Sequence, residues 1–185
     1  MRKLIVFNNV SLDGYFVDTQ GNMSWAHQSD PEWLAFLADN ARGKSQMLFG
    51  RVTYQMMASY WPTPMAMQAM PAVAQAMNES RKVVFSRTLD KATWNNTQLV
   101  KDNMVEAVRG LKKEPGEGLV IFGSGTIVAQ LAAERLIDEF QFVVHPLALG
   151  KGRTMFEGIR EKLALRLTKS RTFSNGSVFL CYDPA

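Results

Sequence analysis

LVIFGSGTIVAQL (residues 119–131) is an apolar run that stops at Gly123-Ser124-Gly125-Thr126 and restarts with helical spacing. MLFGRVTY (47–54) repeats that grammar, with Gly50-Arg51-Val52-Thr53 at the break. A short apolar run closed by glycine reads as a buried strand, and the stripes Val52, Met56, Tyr60 and Ile127, Leu131, Ala132 mark a helix behind each turn. A strand that passes through glycine into a helix presents backbone N–H groups at its tip, and such a tip favours an anion. Two tips in one small chain imply a ligand with more than one phosphate. The Gly123 turn is not a Walker loop, because no Gly-Lys-Ser/Thr follows at the right spacing. It is not the six-residue dinucleotide fingerprint either, because Gln130 and its neighbours are not glycine.

Outward from these turns the pattern alternates. KLIVFNNV (3–10) reads as a buried first strand, and SLDGYFVDTQGNMSW (11–25) as a loop. SDPEWLAFLADNAR (29–42) opens a helix, with Ser29 and Glu32 spaced as a capping box and Pro31 in the first turn. Strands are expected at QMLFG (46–50), RKVVFS (81–86), TQLV (97–100) and GLVIF (118–122). WPTP (61–64) breaks the helix after Gly50, and Pro71 starts or breaks the next. Met104, Val105, Val108 and Leu111 stripe a helix that ends before Pro115. After Asp138 the pattern changes. DEFQFVVHP (138–146) is a strand and LALGKGRTMF (147–156) a glycine-rich loop. In LALRLTKSRTF (163–173), Leu163, Leu165 and Leu167 share one face. A turn at Ser174-Asn175-Gly176 then leads into SVFLCY (177–182), a terminal antiparallel hairpin. The expected architecture is α/β: one domain over residues 1–185, with a central, mostly parallel mixed sheet and helices on both faces.

The chain has 185 residues, 46% of them apolar, which suffices for one buried core. Its one cysteine, Cys181, precludes a disulfide within the chain and suits a reduced compartment. No apolar run reaches the roughly 20 residues of a membrane span, and the opening RKLIVF lacks the form of a signal peptide. The expectation is a cytoplasmic protein with no membrane partner. The net charge of +4 is spread among acidic neighbours rather than gathered into a stripe, so no nucleic-acid partner is expected. His27 and His145 are the only histidines, and with one distant cysteine they form no zinc-ligand set, so no metal is expected.

Several side chains are candidates for chemistry. Ser124 and Thr126 would add hydroxyls to the Gly123–Gly125 amides, or would simply cap the helix. Arg51 is placed to meet a phosphate bidentately, with Thr53 at the helix mouth. Ser86-Arg87, at the end of VVFS, suit a ribose 2′-phosphate beyond a strand's carboxyl end. Asp13 is either an Asp-Gly turn residue or an acid. Asp30, before Pro31, is either a helix cap or an acid that binds an amino-pyrimidine edge or assists protonation.

In this order and spacing the segments NNVSLDGYF (8–16), LFGRVTYQMM (48–57), YWP (60–62), KVVFSRTL (82–89) and IFGSGTIVAQLAAERLIDEFQFVVHPLALGKGRTMF (121–156) resemble the dihydrofolate-reductase-like superfamily. They are most similar to its branch named for the C-terminal reductase domain of bifunctional riboflavin-biosynthesis enzymes. The resemblance implies a three-layer fold, NADPH as cofactor, and a homodimer. It implies that Val10, Gly50, Arg51, Val52, Thr53, Ser86, Arg87, Gly123, Ser124, Gly125, Thr126 and Ile127 line the cofactor, with the nicotinamide near Val10 to Asp13. MSWAHQSD (23–30) is similar to the Met–Pro–Trp loop and pterin-binding acid of dihydrofolate reductases, with Ser24 where proline is usual. Asp13 and Asp30 are the implied catalytic or substrate-binding acids, and Lys151 and Arg153 the candidates for a substrate phosphate. The implied activity is reduction of a pyrimidine- or pterin-like heterocycle, foremost 5-amino-6-(5-phosphoribosylamino)uracil. The alternatives are a folate or other heterocycle, or a non-catalytic nucleotide-binding domain. The deaminase half of the bifunctional enzymes is not expected in a chain of this length.

Overall fold

Eight strands form one sheet, and their order decides what meets at its carboxyl edge. The computed structural model describes residues 1–26, 30–41 and 43–185, so His27 and Ser29 lie outside it. The elements run β1 (Leu4–Ser11), β2 (Tyr15–Val17), α1 (Pro31–Ala41), β3 (Gln46–Gly50), α2 (Arg51–Tyr60), α3 (Pro64–Ala69), α4 (Pro71–Glu79), β4 (Lys82–Phe85), β5 (Thr97–Val100), α5 (Met104–Lys113), β6 (Leu119–Phe122), α6 (Gly125–Ala133), β7 (Glu139–His145), β8 (Arg153–Thr154), β9 (Leu165–Thr172) and β10 (Val178–Pro184). The sheet order is β5-β4-β3-β6-β1-β7-β10-β9. From β5 to β7 every pairing is parallel, and β10 runs antiparallel between β7 and β9.

The central strands are buried on both faces, as parallel strands under helical crossovers must be. One face carries α5 and α6 over Leu4, Val6, Leu48, Val83, Ile121 and Phe140. The other carries two clusters. Met47, Phe49 and Val84 pack under α2 to α4, and Phe7, Val143 and Phe179 pack under Trp33 of α1. Each large apolar side chain so buried contributes ~1.5–3 kcal/mol.

Three expectations change. Of the stripe Val52, Met56, Tyr60, only Tyr60 packs against the core: Val52 is 63% exposed, and α2 buries Thr53 and Tyr54. Thr53 faces the neighbouring turn at Ser124, and Tyr54 packs beside Phe49 and Trp94. The alternation in LALRLTKSRTF does form β9, but β9 is the sheet's edge. Leu163 and Leu165 reach the core while Leu167 stands 51% exposed. The loops 11–25 and 147–156 are not wholly irregular, because β2 and β8 within them pair as a small antiparallel sheet.

Candidate functional site

The two glycine turns touch. β3 and β6 are neighbours, and the Gly50 N–H donates to Ser124 Oγ at 2.8 Å, while Thr53 Oγ1 lies 3.1 Å from the same oxygen. The contact explains both glycines. A Cβ on Gly50 would sit 2.6 Å from Ser124 Oγ, and one on Gly123 2.8 Å from Thr53 Oγ1, with Gly123 already at φ 61°. Ser124 occupies the N-cap position of α6 in the left-handed region (φ 60°), but its side chain makes no cap hydrogen bond. Its hydroxyl is committed to the staple.

The strand-end amides are therefore not all open. Gly50 N–H goes to Ser124, and Gly123 N–H goes to Asn8 Oδ1 at 2.9 Å. The groups left for an anion are first-turn amides of α2 and α6, neither of which receives a side-chain cap, although the Ile127 N–H is already given to the Ser124 carbonyl at 2.9 Å. Arg51 is exposed beside one of these mouths and bonds Gln55 Oε1 at 3.1 Å. Thr126 is exposed at the other, where Gly125 and Ile127 are buried.

Across the edge, β4 ends at Ser86-Arg87. Ser86 Oγ accepts from the Thr88 and Leu89 N–H groups at 3.2 and 3.0 Å, which folds the turn and leaves Arg87 exposed. On the other flank β1 ends at Val10 and Ser11, both buried. The carboxyl edge thus reads Arg87, Arg51, Thr126, Val10 in the strand order β4-β3-β6-β1. Lys151 and Arg153 are exposed on the loop after β7, with the Arg153 guanidinium 5.9 Å from the Phe16 ring centroid.

Neither aspartate stands as a free acid. Asp13 accepts from Ser11 Oγ at 2.6 Å and from the Leu149 and Gly150 N–H groups at 3.1 and 2.7 Å. The Ser11 hydroxyl, and then those amides, hold its carboxyl below the usual carboxylate range. Donors that favour the anion make it a clasp between the loop after β1 and the loop after β7 rather than a proton donor. Asp30 caps α1: its Oδ1 accepts the Trp33 N–H at 2.9 Å, and its Oδ2 accepts from Ser174 Oγ at 3.1 Å. Glu32, whose expected capping-box partner Ser29 lies outside the described residues, meets Arg171 at 2.8 Å and the Ser174 N–H at 3.1 Å. The two acids are held by different loops.

The organising residues that motif reading passed over are Asn8 and Asn9. Two consecutive asparagines inside an otherwise buried strand were their signal, since each buried amide needs partners. Asn8 ties β1 to the Gly123 turn, and its Nδ2 lies 3.3 Å from Met155 Sδ. Asn9 Oδ1 lies 2.9 Å from Nε2 of His145, a residue with no solvent exposure. Two surface depressions lie elsewhere: one of about 400 Å³ is lined by Ala58, Asn78 and Trp94, and one of about 390 Å³ by Arg81, Lys82 and Gln98.

Comparisons with known proteins agree with this architecture. The chain is 29% identical over 181 residues to the uncharacterized protein YyaP of Bacillus subtilis (strain 168), covering 98% of this chain and 94% of that one. It is 24% identical to YwjB of the same organism, also uncharacterized, covering 93% and 92%. A crystal structure from Shewanella sp. PV-4, named for riboflavin biosynthesis, superposes with a TM-score of 0.74 at 24% identity over 99% of both chains. The diaminohydroxyphosphoribosylaminopyrimidine deaminase/5-amino-6-(5-phosphoribosylamino)uracil reductase of Thermotoga maritima gives 0.72 at 15% identity, covering all of this chain and 57% of that one. At these identities the superpositions speak for the fold, which is dihydrofolate-reductase-like. The RibD C-terminal domain matches residues 2–179, which take in β1 to β9 and the first two residues of β10, and the chain belongs to that family.

Proposed function

We propose that the protein is an NADPH-dependent reductase that delivers hydride to a pyrimidine- or pterin-like heterocycle. The observation that carries this is the order of groups along one sheet edge. An exposed arginine at β4, two uncapped helix mouths at β3 and β6, and the clasped loop after β1 follow one another. Neighbouring strands stand about 4.8 Å apart, so β4 to β1 spans about 14 Å. That order suits a 2′-phosphate, a diphosphate and a nicotinamide in turn. Arg87 would take the first, the first-turn amides of α2 and α6 with Arg51 the second, and the Val10–Asp13 segment would flank the third. When bound, the reduced nicotinamide supplies the hydride. This chain's part is to hold donor and acceptor in line and to keep water from between them.

With Asp13 held anionic and Asp30 engaged as a cap, we assign the proton that follows hydride to solvent. The substrate is 5-amino-6-(5-phosphoribosylamino)uracil or a related heterocycle, with Lys151 and Arg153 the cations nearest to hand for a phosphate. A homodimer in the cytoplasm completes the proposal.

Arg87→Ala tests it. Loss of a charge-assisted pair to the 2′-phosphate should weaken NADPH roughly tenfold to a hundredfold and leave NADH nearly unchanged, read by fluorescence titration. Equal loss for both nucleotides removes Arg87 from this role, and no binding of either by the unmodified protein removes the reductase reading.

A further inference from the structure

His145 closes β7 beside the end of β1, its Cα paired with Ser11. Its imidazole is wedged edge-on between two indoles, with centroids 5.6 Å from Trp25 and 5.9 Å from Trp33. Nε2 faces Asn9 Oδ1 at 2.9 Å, and Nδ1 faces Ser177 Oγ at 3.3 Å. An amide oxygen only accepts, so the proton sits on Nε2 and Nδ1 accepts from the serine. Burial lowers the His145 pKa and keeps this neutral form. The amide of Asn9 is thereby oriented. With its oxygen turned to His145, its NH₂ turns away, and among the described residues that nitrogen has no hydrogen-bond partner. Asn9 lies on the α1 face of β1, as Phe7 does, and is partly exposed at the carboxyl edge.

The surroundings hold donors in surplus. Trp25 Nε1, on the ring against His145, is buried without a partner among the described residues. So is Nδ2 of Asn175, whose Oδ1 accepts the Ser177 N–H at 2.9 Å. Among the described residues, Asn9, Trp25 and Asn175 thus hold N–H donors without an acceptor, which suits a ligand edge that accepts.

We infer that Asn9 is a substrate-recognising residue, held by His145, whose amide N–H donates to a carbonyl oxygen of the heterocycle. The inference rests on the reductase reading above and narrows its substrate to rings that present an acceptor edge, as a lactam does, rather than an amino edge. His145 is a positioning residue: it fixes which end of the Asn9 amide faces the ligand.

The test titrates two probes calorimetrically, 5,6-diaminouracil with its ring carbonyls and 2,4,6-triaminopyrimidine without them, each with and without NADPH. The unmodified protein should prefer the uracil. Asn9→Asp keeps the oxygen facing His145 and replaces the NH₂ by an acceptor. It should weaken diaminouracil at least roughly tenfold and turn the preference toward triaminopyrimidine, while NADPH affinity holds. Asn9→Ala, with its folding checked by the urea midpoint, should lose the preference without reversing it. A purely structural Asn9 would move both probes together. Unaltered preferences in both variants, or no binding of either probe by the unmodified protein, overturn the inference. The probe pattern without any NADPH affinity would leave this site standing and sink the cofactor reading.

Discussion

Ser124 shows how one hydroxyl changes what a motif means. Read in line, Gly-Ser-Gly-Thr looks like a ring of donors for phosphate. In space the serine oxygen accepts from the Gly50 N–H and spends its capacity joining two turns 74 residues apart. Ser124→Ala should therefore cost about 1–2 kcal/mol in urea unfolding, the penalty of an unpaired part-buried N–H, and should weaken NADPH only through loosened turns. If stability is unchanged, the staple is not what holds the pair. Gly50 and Gly123 were legible because glycine at a strand end needs a reason. The partner of each was not, since nothing in the local sequence says that Thr53 and Ser124 approach each other. Asp13 repeats the lesson: an Asp-Gly turn is visible in SLDGYF, but its Leu149 and Gly150 partners come from the far side of the chain.

At the scale of elements, strand and helix positions followed from apolar period and punctuation. QMLFG and TQLV became β3 and β5 with the expected bounds, and Pro71 opens α4. Faces were less legible. Val52 and Met56 point outward because α2 turns Thr53 and Tyr54 inward, a choice made by the neighbouring turn and not by helical spacing. Leu167 keeps its alternation on a strand with no neighbour on one side. At the start of α1 the cap is Asp30. Asp30→Ala should lower unfolding free energy by about 1 kcal/mol, whereas Asp30→Ser, which still caps, should restore most of it. Turnover measured by the 340 nm absorbance of NADPH should survive in Asp30→Ser. Its collapse with stability intact would reinstate the carboxylate as an acid of the reaction.

At the scale of the whole molecule, three buried groups shape stability against pH. Burial lowers the His145 pKa, so its contribution is full above the ordinary value of 6.5 and is lost as pH falls. Lys82, 1% exposed beneath the Trp94 ring and donating to the Asn78 and Ser80 carbonyls, is depressed by burial from 10.5 to about 8. Its contribution is present above 10.5 and is lost as pH falls toward 8. Burial first, then Glu139, raises Cys181 from 9.0 to about 11, so its share holds below 9.0 and is lost as pH rises through 11. The urea midpoint should drop between pH 7 and 5, and His145→Gln should flatten that drop. It should rise between pH 8 and 9, and Lys82→Arg, which cannot shed its proton there, should abolish the rise. A flat midpoint over both windows would count against the buried protonation states. No helix among the described residues is long and apolar enough to cross a membrane. The α/β class, the run of elements and the two glycine turns were determined by the sequence alone, because period, glycine and proline act within a few residues of themselves. Which strands lie side by side, that β10 slots between β7 and β9, and that two asparagines of β1 serve a turn and a histidine more than a hundred residues away were decided only by tertiary structure. Buried polar groups must find partners wherever packing brings them, and packing is a property of the whole chain.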